Sequence, residues 1–190
     1  SGNNLLNART GIMRCQFHMA NYQACAETAN LILGSEKVSD ILKRETNYKL
    51  ALSYYNLGSK DKAFPILRQL SGDTNSAEGA ESKFLVAEIL FEKQKLKEAE
   101  TEIMDFIDKN SPHQFWLAKS FMLLSDIYLK NGDEFQAKHT LKSIEENYPE
   151  PNDGILETTR RKLQVIEAGE AAQTKNQSKP LEINIGGGKK

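Results

Sequence analysis

Small residues return at nearly constant intervals along this chain. Cys25, Ala63, Ala99 and Ala137 are separated by steps of 38, 36 and 38 residues. A period of that length marks a supersecondary unit that cannot bury its apolar face alone and must stack on its neighbours. Other positions keep the register. Upstream of each small residue stand Ile12-Met13, Leu50-Ala51, Val86-Ala87 and Leu124-Ser125, and four residues after the first of each come Gln16, Tyr54, Leu90 and Tyr128. A turn position follows at Ala20, Gly58, Gln94 and Gly132. Later come Ala29, Leu67, Ile103 and Leu141, then Ile32, Leu70, Phe106 and Ile144. Small residues let two antiparallel helices approach closely, and the large ones fill the groove to the next pair.

Apolar spacing within each unit is helical. Leu85, Val86, Ile89 and Leu90 form one stripe of a 3.6-residue helix. The pattern predicts helices near 3–19, 22–33, 39–57, 60–70, 77–93, 96–109, 113–130, 134–147 and 154–170, with no strand before residue 180. Start signals are read at Ser111-Pro112, Asp133 with Gln136, and Asn75 with Glu78. Gly58 and Gly132 suit left-handed helix ends, and Pro149 and Pro151 stop the eighth helix. Pro65 predicts that the fourth helix starts late or kinks.

This pattern resembles the tetratricopeptide repeat family. The fourth unit matches best (Leu124-Ser125, Tyr128, Gly132, Ala137, Leu141, Ile144, Pro149), and the first is weakest, with Gln16 in place of an aromatic. The resemblance implies an all-α fold, a right-handed superhelical stack of antiparallel helix pairs. Repeats are placed near 3–34, 39–72, 77–110 and 113–149, with a capping helix over 154–170. Residues 171–190, with four Lys, one Glu and a Gly-Gly-Gly run, are expected to be a disordered tail. Leu181, Ile183 and Ile185 alternate as a strand would, so addition to a partner's sheet edge stays open.

Composition removes several functions. A net charge of −1 argues against phosphate-backbone binding. No apolar run reaches the length of a membrane span. The opening Ser1-Gly2 suggests a processed or excised piece of a longer chain, and a stylistic likeness to large bacterial envelope repeat proteins favours that compartment over the cytoplasm. Cys15 and His18 share a helix face, but zinc needs at least three protein ligands and no second Cys/His pair has usable spacing. Cys15 and Cys25, on opposite helices of one unit, are read as reduced core thiols, with a disulfide geometrically conceivable. There is no phosphate loop, nucleophile elbow or zinc-protease motif. The acids Glu98, Glu100, Glu102, Asp105 and Asp108 read as a solvated helix face. No catalytic residue, cofactor or metal is expected.

In the family, first helices line a concave groove. The resemblance therefore assigns to it Arg14, Phe17 and His18, then Glu45, Tyr48, Leu52, Tyr55 and Asn56, then Glu81, Phe84, Glu88, Phe91 and Glu92, then Lys119, Met122, Asp126, Leu129 and Lys130. Thr10, Arg14, Tyr48, Leu52, Phe84 and Glu88 do not form the basic clamp by which some members hold chaperone carboxylate termini. The expected function is a non-enzymatic scaffold that binds a peptide segment of a partner protein, its acids favouring a ligand with Lys or Arg. The alternative is the C-terminal structural segment of a longer array, acting by end-to-end packing onto preceding repeats or a second copy.

Overall fold

The computed structural model describes residues 2–177. Among them every regular element is a helix, in the order α1 (Gly2–His18), α2 (Tyr22–Leu33), α3 (Asp40–Asn56), α4 (Lys60–Leu70), α5 (Ala77–Glu92), α6 (Leu96–Asp108), α7 (Gln114–Lys130), α8 (Glu134–Asn147) and α9 (Ile155–Gln177). Each helix packs on the next, and α5 also packs on α7, and α7 on α9. This is the expected right-handed stack type of nested helix pairs. Helix α9 runs seven residues past 170, the end expected for the cap. The rest of the expected tail, 178–190, with Leu181, Ile183 and Ile185, lies outside the described residues.

The recurring small residues do what close approach demands. Cys25, Ala63, Ala99 and Ala137 are each fully buried, so two backbones meet there without a cavity. Met13, Ala29, Ile32 and Leu50 surround the first. Leu67, Val86, Ile89, Ile103, Leu124 and Ile127 join the second and third, and Leu141, Ile144, Ile155, Leu163 and Ile166 the last.

All four aligned turn positions take the left-handed conformation: Ala20 (φ 55°), Gly58 (74°), Gln94 (60°) and Gly132 (79°). Each ends a first helix so that the chain can reverse into its partner. At Gly58 an added Cβ would meet nothing within 4 Å, so Gly58→Ala isolates backbone strain. It is expected to cost about 1 kcal/mol, while Ala20→Gly, freed of that strain but looser when unfolded, gains about 0.5 kcal/mol. Urea denaturation of both variants checks the pair of signs.

Three starts differ from expectation. Helix α4 begins at Lys60 and carries Pro65 inside, so it does not start late. The α5 cap is Ser76, not Asn75; its Oγ accepts from the Gly79 amide at 3.1 Å. Ser111 does not cap α7. It donates to the Thr74 carbonyl at 2.6 Å, and a His113 ring nitrogen lies 3.0 Å from the Asn75 carbonyl. These contacts tie two successive inter-pair loops together. Asp133 does cap α8 as expected, accepting from Gln136.

Candidate partner-binding face

Helices α1, α3, α5 and α7 each bring one row of assigned residues to the same side of the stack. Bonds between consecutive rows hold that row in place. The Arg14 guanidinium donates twice to Glu45, at 2.7 and 2.6 Å, and this pairing holds the Glu45 carboxyl below the usual carboxylate range. The Tyr48 hydroxyl donates to Glu81, and the Tyr55 hydroxyl to Glu88. Burial and the facing carboxylate together push both phenols up. Lys60 donates to Glu92, and Lys162 of α9 to Asp126.

Ammonium groups cover the ring faces. Lys49 sits 4.6 Å from the Phe17 centroid, Lys60 4.8 Å from Tyr55, and Lys130 4.5 Å from Phe91. Lys119 lies 4.4 Å from Phe84 and 4.9 Å from Trp116. Between α1 and α3 a pocket opens, lined by Asn7, Thr10, Arg14, Leu42 and Glu45 among others.

The assigned residues therefore divide. Phe17, Glu45, Tyr48, Tyr55, Glu88, Phe91 and Asp126 are half-buried, and Arg14, His18, Asn56 and Glu92 are exposed. Leu52, Phe84 and Met122 are buried, at 8, 4 and 8% exposure. Their place on an open groove is corrected: Leu52 and Phe84 belong to the central core, and Met122 packs with α8 and α9. The Asn56 amide turns back to the Leu52 carbonyl. Lys49, Lys60, Trp116 and Lys162 were not among the expected residues. A complementary charge or ring about one repeat away was the signal for them.

Comparison with known proteins agrees with this geometry. The tetratricopeptide-repeat family profile matches residues 45–72 and 114–151, which contain most of the second pair and all of the fourth. The second and fourth pairs match tetratricopeptide repeats, and the stack as a whole has the fold of such repeats. Two solved structures share the fold. Both are from Podosopora anserina, a protein assigned as a kinesin light chain with nearly identical TPR-like repeats and a variant form of it. The variant aligns at 13% identity with TM-score 0.63, covering 93% of this chain and 92% of that one; the other aligns at 14% with TM-score 0.61, covering 90% of each. No curated protein sequence matches the chain.

Elsewhere in the stack, Glu102, one of the acids read as a solvated face, is largely buried, and Asp105 beside it is half-exposed but ion-paired. Lys83 of α5 is buried at 5% exposure. Its ammonium lies 2.6 Å from Glu102 and also against Asp105, both on α6, while Arg68 of α4 pairs with Glu102 as well. Burial alone would raise the Glu102 carboxyl; Lys83 and Arg68 outweigh it and hold it below the ordinary range. Bonds from Lys83 and Lys109 lower Asp105. Carboxyls depressed in the folded state contribute stability that is present above their unfolded values, about 4, and lost as pH falls through the folded ones. Glu81 has the opposite sign, since burial raises it despite the Tyr48 hydroxyl. Chemical denaturation across pH 3–7 is expected to show stability falling steeply below about pH 4, and Glu81→Gln to raise the neutral-pH plateau relative to the acid limb.

The cysteines are both free; Cys25 is buried and Cys15 exposed, so only one is a core thiol. Among the described residues no group of three His, Cys, Asp or Glu could hold a metal ion, and no helix is long and apolar enough to cross a membrane.

Proposed function

We propose that this scaffold takes an extended or helical peptide segment of a partner protein on the face formed by α1, α3, α5 and α7. Helical-repeat scaffolds of this family serve protein interaction and are typically non-catalytic. The observation that carries the reading is the row of half-buried rings, Phe17, Tyr48, Tyr55 and Phe91, that rest against lysines and acids of the surface rather than wholly in the core. An ammonium over an exposed ring contributes only about 0.5–1 kcal/mol. An incoming apolar side chain can displace it and take its place on the ring.

The ligand expected from the isolated acids changes accordingly. Glu45, Glu88 and Glu92 already accept from Arg14, Tyr55 and Lys60, so they offer little to a basic ligand. Displaced Lys49 and Lys130 would instead favour a segment with apolar anchors beside carboxylates. Displayed random peptides selected on the chain test this. Enrichment of acidic segments with aromatic or aliphatic residues, lost on the double variant Tyr55→Ala, Phe91→Ala with helicity intact, is the supporting result. Enriched peptides that ignore the double variant, or that are basic, contradict it.

A second reading, end-to-end packing within a longer array, is favoured by a different observation: the apolar side chains Leu5 and Ile12 of α1 are 53 and 50% exposed, and Met19, just past its end, 76%.

A further inference from the structure

Four first-type helices carry one motif in register: Thr46, Leu50, Ser53 on α3; Ser82, Val86, Ile89 on α5; Ser120, Leu124, Ile127 on α7; Thr159, Leu163, Ile166 on α9. A small hydroxyl residue is followed at four and seven positions by two further residues, so the three share one helix face. All twelve side chains are buried, none above 7% exposure. At each junction the apolar members share a core cluster with the second helix of the pair just before them. Leu50 joins Cys25, Ala29 and Ile32; Val86 and Leu124 join Ala63, Leu67, Ala99 and Ile103; Leu163 and Ile166 join Ala137, Leu141 and Ile144.

Helix α1 repeats the register as Ala8, Ile12 and Cys15, with alanine as the small residue and Leu5 where α9 has Leu156, and here all three are exposed. The far end of the stack is different. The α9 positions that would meet a second helix of its own are Arg160, Gln164 and Glu167, exposed and polar, as a terminal repeat requires. One end presents a polar face; the other is a junction without its filler.

We infer that the outer face of α1 is a repeat junction, filled by the second helix of a further tetratricopeptide pair on its N-terminal side in the same polypeptide. This rests on the end-to-end reading and names its occupant. Every junction of this kind among the described residues is filled by the immediately preceding helix across a linker of five to seven residues. A second copy meeting α1 with its own α1 would set first helix against first helix, which none of those junctions does on this face.

Cys15 reports on the face directly, because its counterparts Ser53, Ile89 and Ile127 are fully buried. The α8–α9 junction supplies the graft: residues 113–154, which contain no cysteine, placed directly before Asn4 so that Ala8, Ile12 and Cys15 take the register of Thr159, Leu163 and Ile166. In the 190-residue chain one thiol reacts fast with a disulfide reagent and Cys25 slowly. In the extended chain the fast thiol is expected to slow at least about 100-fold, as buried thiols do, and to recover with Ala137→Arg in the copied pair. Unchanged Cys15 labelling in the extended chain overturns the inference and, with concentration-independent labelling in the original, the end-to-end reading too. Concentration-dependent slowing in the unextended chain overturns only the occupant, since a second copy then covers the face.

Discussion

Gly79→Ala is expected to destabilise the fold by about 3 kcal/mol, although the same change on an exposed helix would stabilise it by about 1 kcal/mol. Gly79 lies in the first turn of α5, under the loop that leaves α4. A Cβ there would stand 1.9 Å from the Asp73 carbonyl oxygen and 2.7 Å from its carbon. Those atoms are backbone, so the loop must move. That loop is held from several sides. Ser76 caps α5 through the Gly79 amide, Arg44 of α3 pairs with Asp73 at 2.9 Å, and Ser111 holds the Thr74 carbonyl. Moving it therefore loosens the second, third and fourth pairs together. Thermal and urea unfolding of Gly79→Ala beside Gly58→Ala would show the difference: a large loss at the first and a loss of about 1 kcal/mol at the second.

Lys83→Ala is the other large effect, a loss of about 3 kcal/mol. The buried ammonium is the cation between Glu102 and Asp105, and its removal leaves Glu102, 14% exposed, with Arg68 alone. Lys83→Met keeps the packing of the aliphatic stem and removes the charge. Its cost is expected to fall between wild type and alanine, and the double variant Lys83→Met, Glu102→Gln should recover most of the loss at neutral pH. A double-mutant cycle by chemical denaturation reads the coupling. Lys83→Ala should also weaken the acid dependence, because Glu102 and Asp105 lose the partner that depresses them.

Much of the fold was legible because its rule is periodic. The small residues at 25, 63, 99 and 137 and the turn positions at 20, 58, 94 and 132 fixed the units, and the left-handed backbone at Ala20 and Gln94 shows the register holding where glycine is absent. The misses were local. Ser111 stands before a proline like a cap, yet an orphan carbonyl from the loop one repeat earlier competes for its hydroxyl. Lys83 lies among apolar neighbours on α5, and nothing in its own helix says that two acids of α6 wait opposite it.

The candidate face was legible in position but not in state. Counting along first helices found Tyr48, Tyr55 and Phe91. It could not tell that Phe84 is drawn under Trp116 and Lys119 while Phe91 stays half-open, because that depends on which side chain the next repeat supplies. The acids at 45, 88 and 92 look free in one helix and are paired across two. Reading residues one repeat apart as partners recovers most of this.

The central claim, that the first-helix face receives the partner, is tested most directly by amide resonance shifts of the chain on titration with a selected acidic peptide. The account predicts perturbations grouped on α3, α5 and α7 around Tyr55, Glu88, Phe91 and Lys130, with α4, α6 and α8 quiet. Shifts concentrated on those second helices, with the residues around Tyr55 and Phe91 unmoved, would contradict it.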